Sequence, residues 1–148
     1  MENRIDKQIE IKAPVSKVWK ALTDHKQFGE WFHCRIDAPF AVGQTTTGKH
    51  TWPGAENFDF NVTVKAIKPE SFFAYSWIPY NMDPKRDYSK EDPTLVEFRL
   101  EAIEKGTLLM VSETGFDKVP ADRRAEAFKM HNGGWEEQLK NIQNYVSK

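Results

Sequence analysis

The sequence has 148 residues and a formal net charge of −1, from 21 Lys and Arg against 22 Asp and Glu; this length suits one domain over 1–148, and the balanced charge favours neither nucleic acid nor an anionic membrane as a partner. The single cysteine, Cys34, excludes an internal disulfide and fits a reducing compartment. Residues 1–8 lack the apolar run of a signal peptide, and no run of about 18 apolar residues occurs, so we expect a cytoplasmic protein without membrane spans.

The N-terminal part of the chain predicts one strand and two helices. Isoleucines alternate with polar residues over 4–12, which is the period of a strand with one buried face. Pro14 ends this strand and suits the first turn of a helix that runs to about Thr23. Three rings at helical spacing then predict a short second helix; they are Phe28, Trp31 and Phe32.

The middle of the chain predicts a run of antiparallel strands. Segment 35–50 suggests two modest strands, and strict alternation from Phe58 to Val64 predicts the clearest strand of the sequence. Further strands are predicted at 72–78, 95–104 and 107–116, the last two joined at Gly106 as a hairpin. Between them, the polar and proline-rich segment 79–93 is long for a loop, so we expect a lid, a binding loop or disorder there.

The C-terminal segment changes to the helical period. Its apolar stripe recurs at steps of three or four residues and predicts one long helix over 120–147, whose stripe residues are Phe128, His131, Trp135, Leu139, Ile142 and Val146. Gly133 and Gly134 lie in the middle of this helix, where each costs about 1 kcal/mol relative to Ala. We expect a kink, the close approach of another backbone or a ligand to account for them.

Several short stretches carry a family resemblance. They are IEIKAPV at 9–15, VWKALT at 18–23, TLVEF at 94–98, ETGF at 113–116 and GGW at 133–135. In this order they resemble the activator of Hsp90 ATPase homologue 1-like family of the START-like (SRPBCC) superfamily. The resemblance implies an α+β helix-grip fold: a curved antiparallel sheet of about six strands wrapped around a long C-terminal helix, with two short helices after strand one. Since strand one begins near Arg4, we expect no separate N-terminal domain like that of the eukaryotic activators.

The resemblance and the surplus of rings suggest a binding cavity between sheet and terminal helix. Five Trp, ten Phe and four Tyr make 13% of the chain, although large rings also commonly fill a core. His131 lies one turn before Trp135 and is the candidate polar group of the cavity. The candidate cavity residues are Trp31, Phe32, Phe60, Tyr75, Trp77, Phe98, His131, Trp135 and Leu139.

Three functions are compatible with these residues. The first is non-catalytic binding of a small apolar or aromatic molecule. The second is an enzyme of the same fold that acts on a bound aromatic or polyketide-like substrate through His131 or Glu113, and the third is binding to a chaperone such as Hsp90.

Other motifs point to no cofactor or metal. The stretch GQTTTGKH at 43–50 lacks the Ser or Thr that follows Lys in a P-loop. His33, Cys34 and His50 lack the paired spacing of a metal site, and His33 is poorly placed to act as a base for Cys34.

Overall fold

A computed structural model describes residues 4–56, 58–79, 88 and 90–147. Within these residues the chain forms one strand, two short α-helices, seven further strands and a long C-terminal α-helix. The strands are β1 (Arg4–Ile11), β2 (Cys34–Ile36), β3 (Thr45–Thr46), β4 (Gly48–His50), β5 (Val62–Lys68), β6 (Phe72–Trp77), β7 (Thr94–Ile103) and β8 (Gly106–Thr114). The helices are α1 (Val15–Thr23), α2 (His25–Phe32) and α3 (Ala121–Val146), and a 3-10 turn (Phe116–Lys118) precedes α3.

The main sheet has six antiparallel strands in the order β1-β8-β7-β6-β5-β3, and β2 pairs with β4 beside it. Alternate side chains of β8 are buried, and Leu109, Val111 and Glu113 share its inner face. The long helix α3 covers that face with Trp135 and Leu139 among its buried residues. The predicted α+β helix-grip arrangement is therefore confirmed.

Local sequence explains the two short helices. Pro14 stands at the N-terminus of α1, and the Asp24 side chain accepts the Lys26 N–H at the start of α2. His33 ends α2 in the left-handed conformation with φ of 66°. Gly29 lets α2 lie against the next strand, since a Cβ there would fall 2.4 Å from the carbonyl oxygen of Cys34.

The segment between β2 and β5 differs from the prediction. Three short strands replace the two expected over 35–50, and the clear alternation that starts at Phe58 becomes β5 only at Val62. Before Val62 the chain pairs with β4 instead, through bonds from His50 N to Phe58 O and from Phe60 N to Gly48 O. One alternating stretch thus pairs first with β4 and then, as β5, with β3 and β6.

The long helix α3 is uninterrupted through its two central glycines. Gly133 and Gly134 are exposed, and a Cβ added to either would meet no atom within 4 Å. Close approach of another backbone therefore does not explain them. Near its middle and end α3 also reaches β1, where Lys7 Nζ bonds Glu136 Oε1 at 2.8 Å and Gln143 donates to the Glu10 carbonyl.

Of the predicted 79–93 loop, residues 80–87 and 89 lie outside the described residues, so its role as a lid stays a prediction. Its last part contacts α3. Arg123 bonds Glu91 at 2.7 Å, and the Arg123 guanidinium lies 5.6 Å from the centre of the Tyr88 ring. No helix in the described part of the chain is long and apolar enough to cross a membrane.

Two alanine substitutions should have opposite effects on stability. Gly133→Ala is expected to raise the free energy of unfolding by about 1 kcal/mol, because the site is open and Ala favours the helix. Gly29→Ala should lower it by roughly 1–3 kcal/mol, because the new Cβ would clash with a backbone oxygen. Urea unfolding of both variants measures this, and a destabilised Gly133→Ala would show that the glycine has an unseen steric role.

Candidate functional site

A cavity of about 380 Å³ lies between α3, the end of β6 and the segment around β4 and β5. Its walls are mostly aromatic and apolar, with a few polar side chains. The lining residues are Phe32, His50, Trp52, Ala55, Phe58, Asp59, Phe60, Asn61, Trp77, Ile78, Pro79, Met130, His131, Gly134, Trp135 and Gln138.

Five of the nine predicted residues line this cavity; they are Phe32, Phe60, Trp77, His131 and Trp135. Phe32 and Trp77 have ring centres 6.0 Å apart, and Trp77 stacks on Trp135 at 5.8 Å. The rings from α2, β6 and α3 therefore converge on one space.

The other four predicted residues are packed into the core and are not part of the lining; they are Trp31, Tyr75, Phe98 and Leu139. The Trp31 indole donates to the Ala21 carbonyl at 2.8 Å, which fixes it against α1. Tyr75 and Phe98 lie deeper along the sheet, covered by rings on several sides. The cavity lies at the Trp77 end of β6, whereas residues further along the same face are buried in the core.

The sequence prediction missed the wall opposite α3. The sequence indicates His50 only as a possible metal ligand, and Trp52 lies in a segment whose apolar residues show no helical or strand period. Phe58 belongs to the same alternating face as Phe60, which could have indicated its place in the wall. In the described part of the chain no cluster of three or more side chains could hold a metal ion.

The inner wall of the cavity, formed by Trp77, His131 and Trp135, is hydrogen-bonded to one buried carboxylate. Glu113 is fully buried and accepts hydrogen bonds from the indole N–H groups of Trp77 and Trp135, both at 2.8 Å. Thr94 also donates to it, and His131 Nδ1 lies 2.6 Å from it. Burying an isolated carboxylate is very costly, and these partners offset that cost.

Glu113 and His131 stabilise each other's charged forms. Burial would raise the pKa of Glu113, but the His131 charge and the hydrogen bonds outweigh it and lower that pKa below its usual value. Burial would lower the pKa of His131, but the Glu113 charge and bonds to Glu113 and the Pro79 carbonyl raise it. The pair is therefore an imidazolium and a carboxylate, with both ring nitrogens of His131 engaged.

The second imidazole of the cavity has the opposite character. His50 lies among the rings of Phe60 and Phe32, at 5.9 and 6.5 Å between ring centres. Burial lowers the pKa of His50, and the nearby Asp59 charge opposes this only partly. His50 is thus neutral at pH 7.

Two exposed apolar side chains stand at the edge of the cavity. Trp52 is 44% exposed and Met130 40% exposed, and both belong to the lining. Trp52 stacks on His33 with the ring centres 4.0 Å apart, so one face of the indole is covered by the imidazole.

Tyr75 carries a buried polar atom with no partner. Its hydroxyl makes no hydrogen bond to any described residue. Burial, followed by the Glu113 charge, raises the pKa of Tyr75 well above its usual value. Its hydroxyl therefore stays protonated.

Comparison with known proteins identifies relatives of the whole chain. The family profile described as activator of Hsp90 ATPase homolog 1-like protein matches residues 12–147. No curated protein matches the sequence. Protein MLL2253 from Mesorhizobium loti has a similar structure, with a TM-score of 0.78, 23% identity, and coverage of 97% of this chain and 96% of that one.

Two further solved structures share the fold. The Aha1 dimer from Colwellia psychrerythraea has a TM-score of 0.71 and 19% identity, covering 98% of this chain and 96% of that one. DynU16, a protein in the dynemicin biosynthetic locus, has a TM-score of 0.74 and 18% identity. This chain is covered completely but spans only 48% of DynU16. At these identities the likeness establishes the helix-grip fold alone.

Removal of the Glu113 charge should lower the pKa of His131. In Glu113→Gln the imidazolium loses its carboxylate partner while its burial is unchanged, so its pKa is expected to fall. NMR titration of the imidazole signals measures this. His50 is the internal control, because its pKa depends on burial and Asp59; an unchanged His131 titration would contradict the ion pair.

The same variant should show a defined pH dependence of stability. The raised pKa of His131 contributes stability that is fully present below about pH 6.5 and is lost as pH rises through the pKa of the folded protein. The lowered pKa of Glu113 contributes stability that is fully present above about pH 4.5. The loss in Glu113→Gln, about 3 kcal/mol, should therefore be greatest between these values and shrink towards alkaline pH. Urea unfolding at several pH values measures it; a loss that continues to grow above about pH 6.5 would contradict the pairing.

Proposed function

Because the chain belongs to the activator of Hsp90 ATPase homolog 1-like family, whose fold encloses a space between sheet and terminal helix, we propose that it binds a small apolar or aromatic molecule in the cavity beside α3. The observation that carries the proposal is the aromatic cavity of about 380 Å³ itself. Ligand pockets typically have volumes of about 300–1,000 Å³ and mostly apolar walls. A buried Cys34 thiol, free of any disulfide, suits the cytoplasm as the place of this activity.

The rigidity of the inner wall supports binding. The indoles of Trp77 and Trp135 are both fixed by hydrogen bonds to Glu113, and their rings are stacked. A wall that is already ordered loses little conformational entropy when a ligand arrives. Flat aromatic molecules fit such a surface, because offset and edge-to-face ring contacts are favourable.

The edge of the cavity supports entry from solvent. Trp52 and Met130 expose apolar surface where a ligand would first touch the protein. Gly134 also lines the cavity and has no side chain to obstruct it. A glycine that weakens the helix but keeps the cavity open is consistent with a binding role.

The geometry favours binding over catalysis by His131 and Glu113. Both nitrogens of His131 are engaged, one with Glu113 and one with the Pro79 carbonyl. Glu113 is fully buried among its donors. Neither group offers a free atom to a ligand, so neither is placed to act as a general acid or base.

Binding of naphthalene should change the NMR signals of three of the five tryptophans. Trp52, Trp77 and Trp135 line the cavity, whereas Trp19 and Trp31 do not. In ¹H–¹⁵N NMR spectra we expect the indole signals of the first three to shift saturably on addition of naphthalene. The signals of the other two are the internal control and should stay unchanged.

A matched pair of helix variants locates the binding site. Gly134→Leu should weaken naphthalene binding at least about tenfold, because the new side chain enters the cavity. Gly133→Leu, one residue away and outside the lining, should bind as the wild type does. Both positions are open and Leu favours a helix, so both variants should fold.

Other outcomes would contradict the proposal. Equal shifts at all five tryptophans, or full binding by Gly134→Leu, would show that the cavity is not the site. If no shift occurred and the chain raised the ATPase rate of Hsp90, the family description would favour a protein partner, with Trp52 and Met130 as the exposed contacts.

A further inference from the structure

The hydrogen-bonding groups of the cavity's inner wall are already occupied. The indoles of Trp77 and Trp135 donate to Glu113, and the two nitrogens of His131 are bonded to Glu113 and Pro79. Beside them, the amide of Gln138 donates to the Phe32 carbonyl and accepts from Asn141. This wall therefore offers a ligand ring contacts but few free donors or acceptors.

His50 on the opposite wall is different. It pairs across the ladder with Phe58, next to the Lys49–Asp59 bridge, so its side chain lies on the same face as those of Phe58 and Phe60. All three residues line the cavity. Its imidazole makes no hydrogen bond to any residue within the described ranges, although its ring is only partly exposed.

Among the described residues, the charged groups of the lining are all paired. Asp59 contacts Lys49, and His131 is paired with Glu113. The imidazole of His50 adds no charge at pH 7, because burial lowers its pKa. An ionic ligand would give up hydration without gaining a counter-charge from the described lining residues, so the cavity suits an uncharged one.

We propose that His50 recognises a hydroxyl group on the bound molecule, and that the ligand is an uncharged aromatic compound carrying that hydroxyl. A neutral imidazole has one donor nitrogen and one acceptor nitrogen, and a hydroxyl can donate or accept. The hydroxyl donates to the acceptor nitrogen, which an ether or carbonyl cannot do because neither carries a hydrogen to donate. This inference rests on the proposed function, because the ring system must first occupy the cavity.

Four naphthalenes test the inference. Equilibrium dialysis and NMR titration would compare naphthalene, 2-naphthol, 2-methoxynaphthalene and 2-naphthoate with the wild-type protein. We expect 2-naphthol to bind roughly three- to tenfold more tightly than 2-methoxynaphthalene, which is the usual range for one hydrogen bond. The carboxylate of 2-naphthoate should make it the weakest of the four.

The variant His50→Phe assigns the preference to one side chain. A phenyl ring keeps the flat apolar shape but removes both nitrogens, so 2-naphthol and 2-methoxynaphthalene should bind equally. Naphthalene should bind this variant at least as well as it binds the wild type, which shows that the cavity still forms. A second variant, His50→Gln, keeps one donor and one acceptor and should retain part of the preference.

The outcomes separate the two proposals. The role proposed for His50 is wrong if naphthalene binds but the hydroxyl of 2-naphthol does not raise the affinity, or if this gain in affinity persists in His50→Phe. The proposed binding function stands in both cases. Tighter binding of 2-naphthoate would likewise overturn the assignment of an uncharged ligand. If none of the four compounds binds to the wild-type protein, both proposals fail.

Discussion

One buried carboxylate organises this structure. Glu113 lies on β8 and is bonded by Trp77 from β6 and Thr94 at the start of β7. From α3 it is bonded by Trp135 and His131. Three strands and the long helix thus meet at one side chain. Each of these contacts offsets part of the desolvation cost of the buried charge. The position of α3 along the sheet is thus set by these polar contacts together with apolar packing.

The same contacts shape the cavity. The indoles of Trp77 and Trp135 that donate to Glu113 also line the cavity, as does the imidazole of His131. Stability and the shape of the cavity are therefore not independent here. A substitution at Glu113 changes both, whereas one at His50 or Gly134 affects the cavity from sides where no such network exists.

Regular periodicity explains what the sequence could predict. The strands of the sheet and the stripe of α3 follow from alternation and helical spacing, and the family resemblance orders them into a helix-grip fold. Alternation also puts Glu113 on the inner face after Leu109 and Val111. Its pairing with His131 could not be predicted, because the partner lies on another element whose register along the sheet is set by tertiary contacts. The wall near His50 and Trp52 was missed because residues 51–56 form no regular element, and because the alternation that begins at Phe58 does not reveal that the chain pairs first with β4 and then with β3 and β6.

The contact between α3 and β1 has a consequence for biosynthesis. Lys7 meets Glu136 and Glu10 meets Gln143, so the first strand and the last helix of the sequence are neighbours. During translation the described strands leave the ribosome before α3, so the part of the inner face that α3 covers, including Glu113, stays exposed until then. Contacts between such distant parts of a chain form slowly, and uncovered apolar strands tend to aggregate. The nascent protein therefore depends on its final helix, and ribosomes that stall before α3 would release chains whose sheet exposes its apolar face to other molecules.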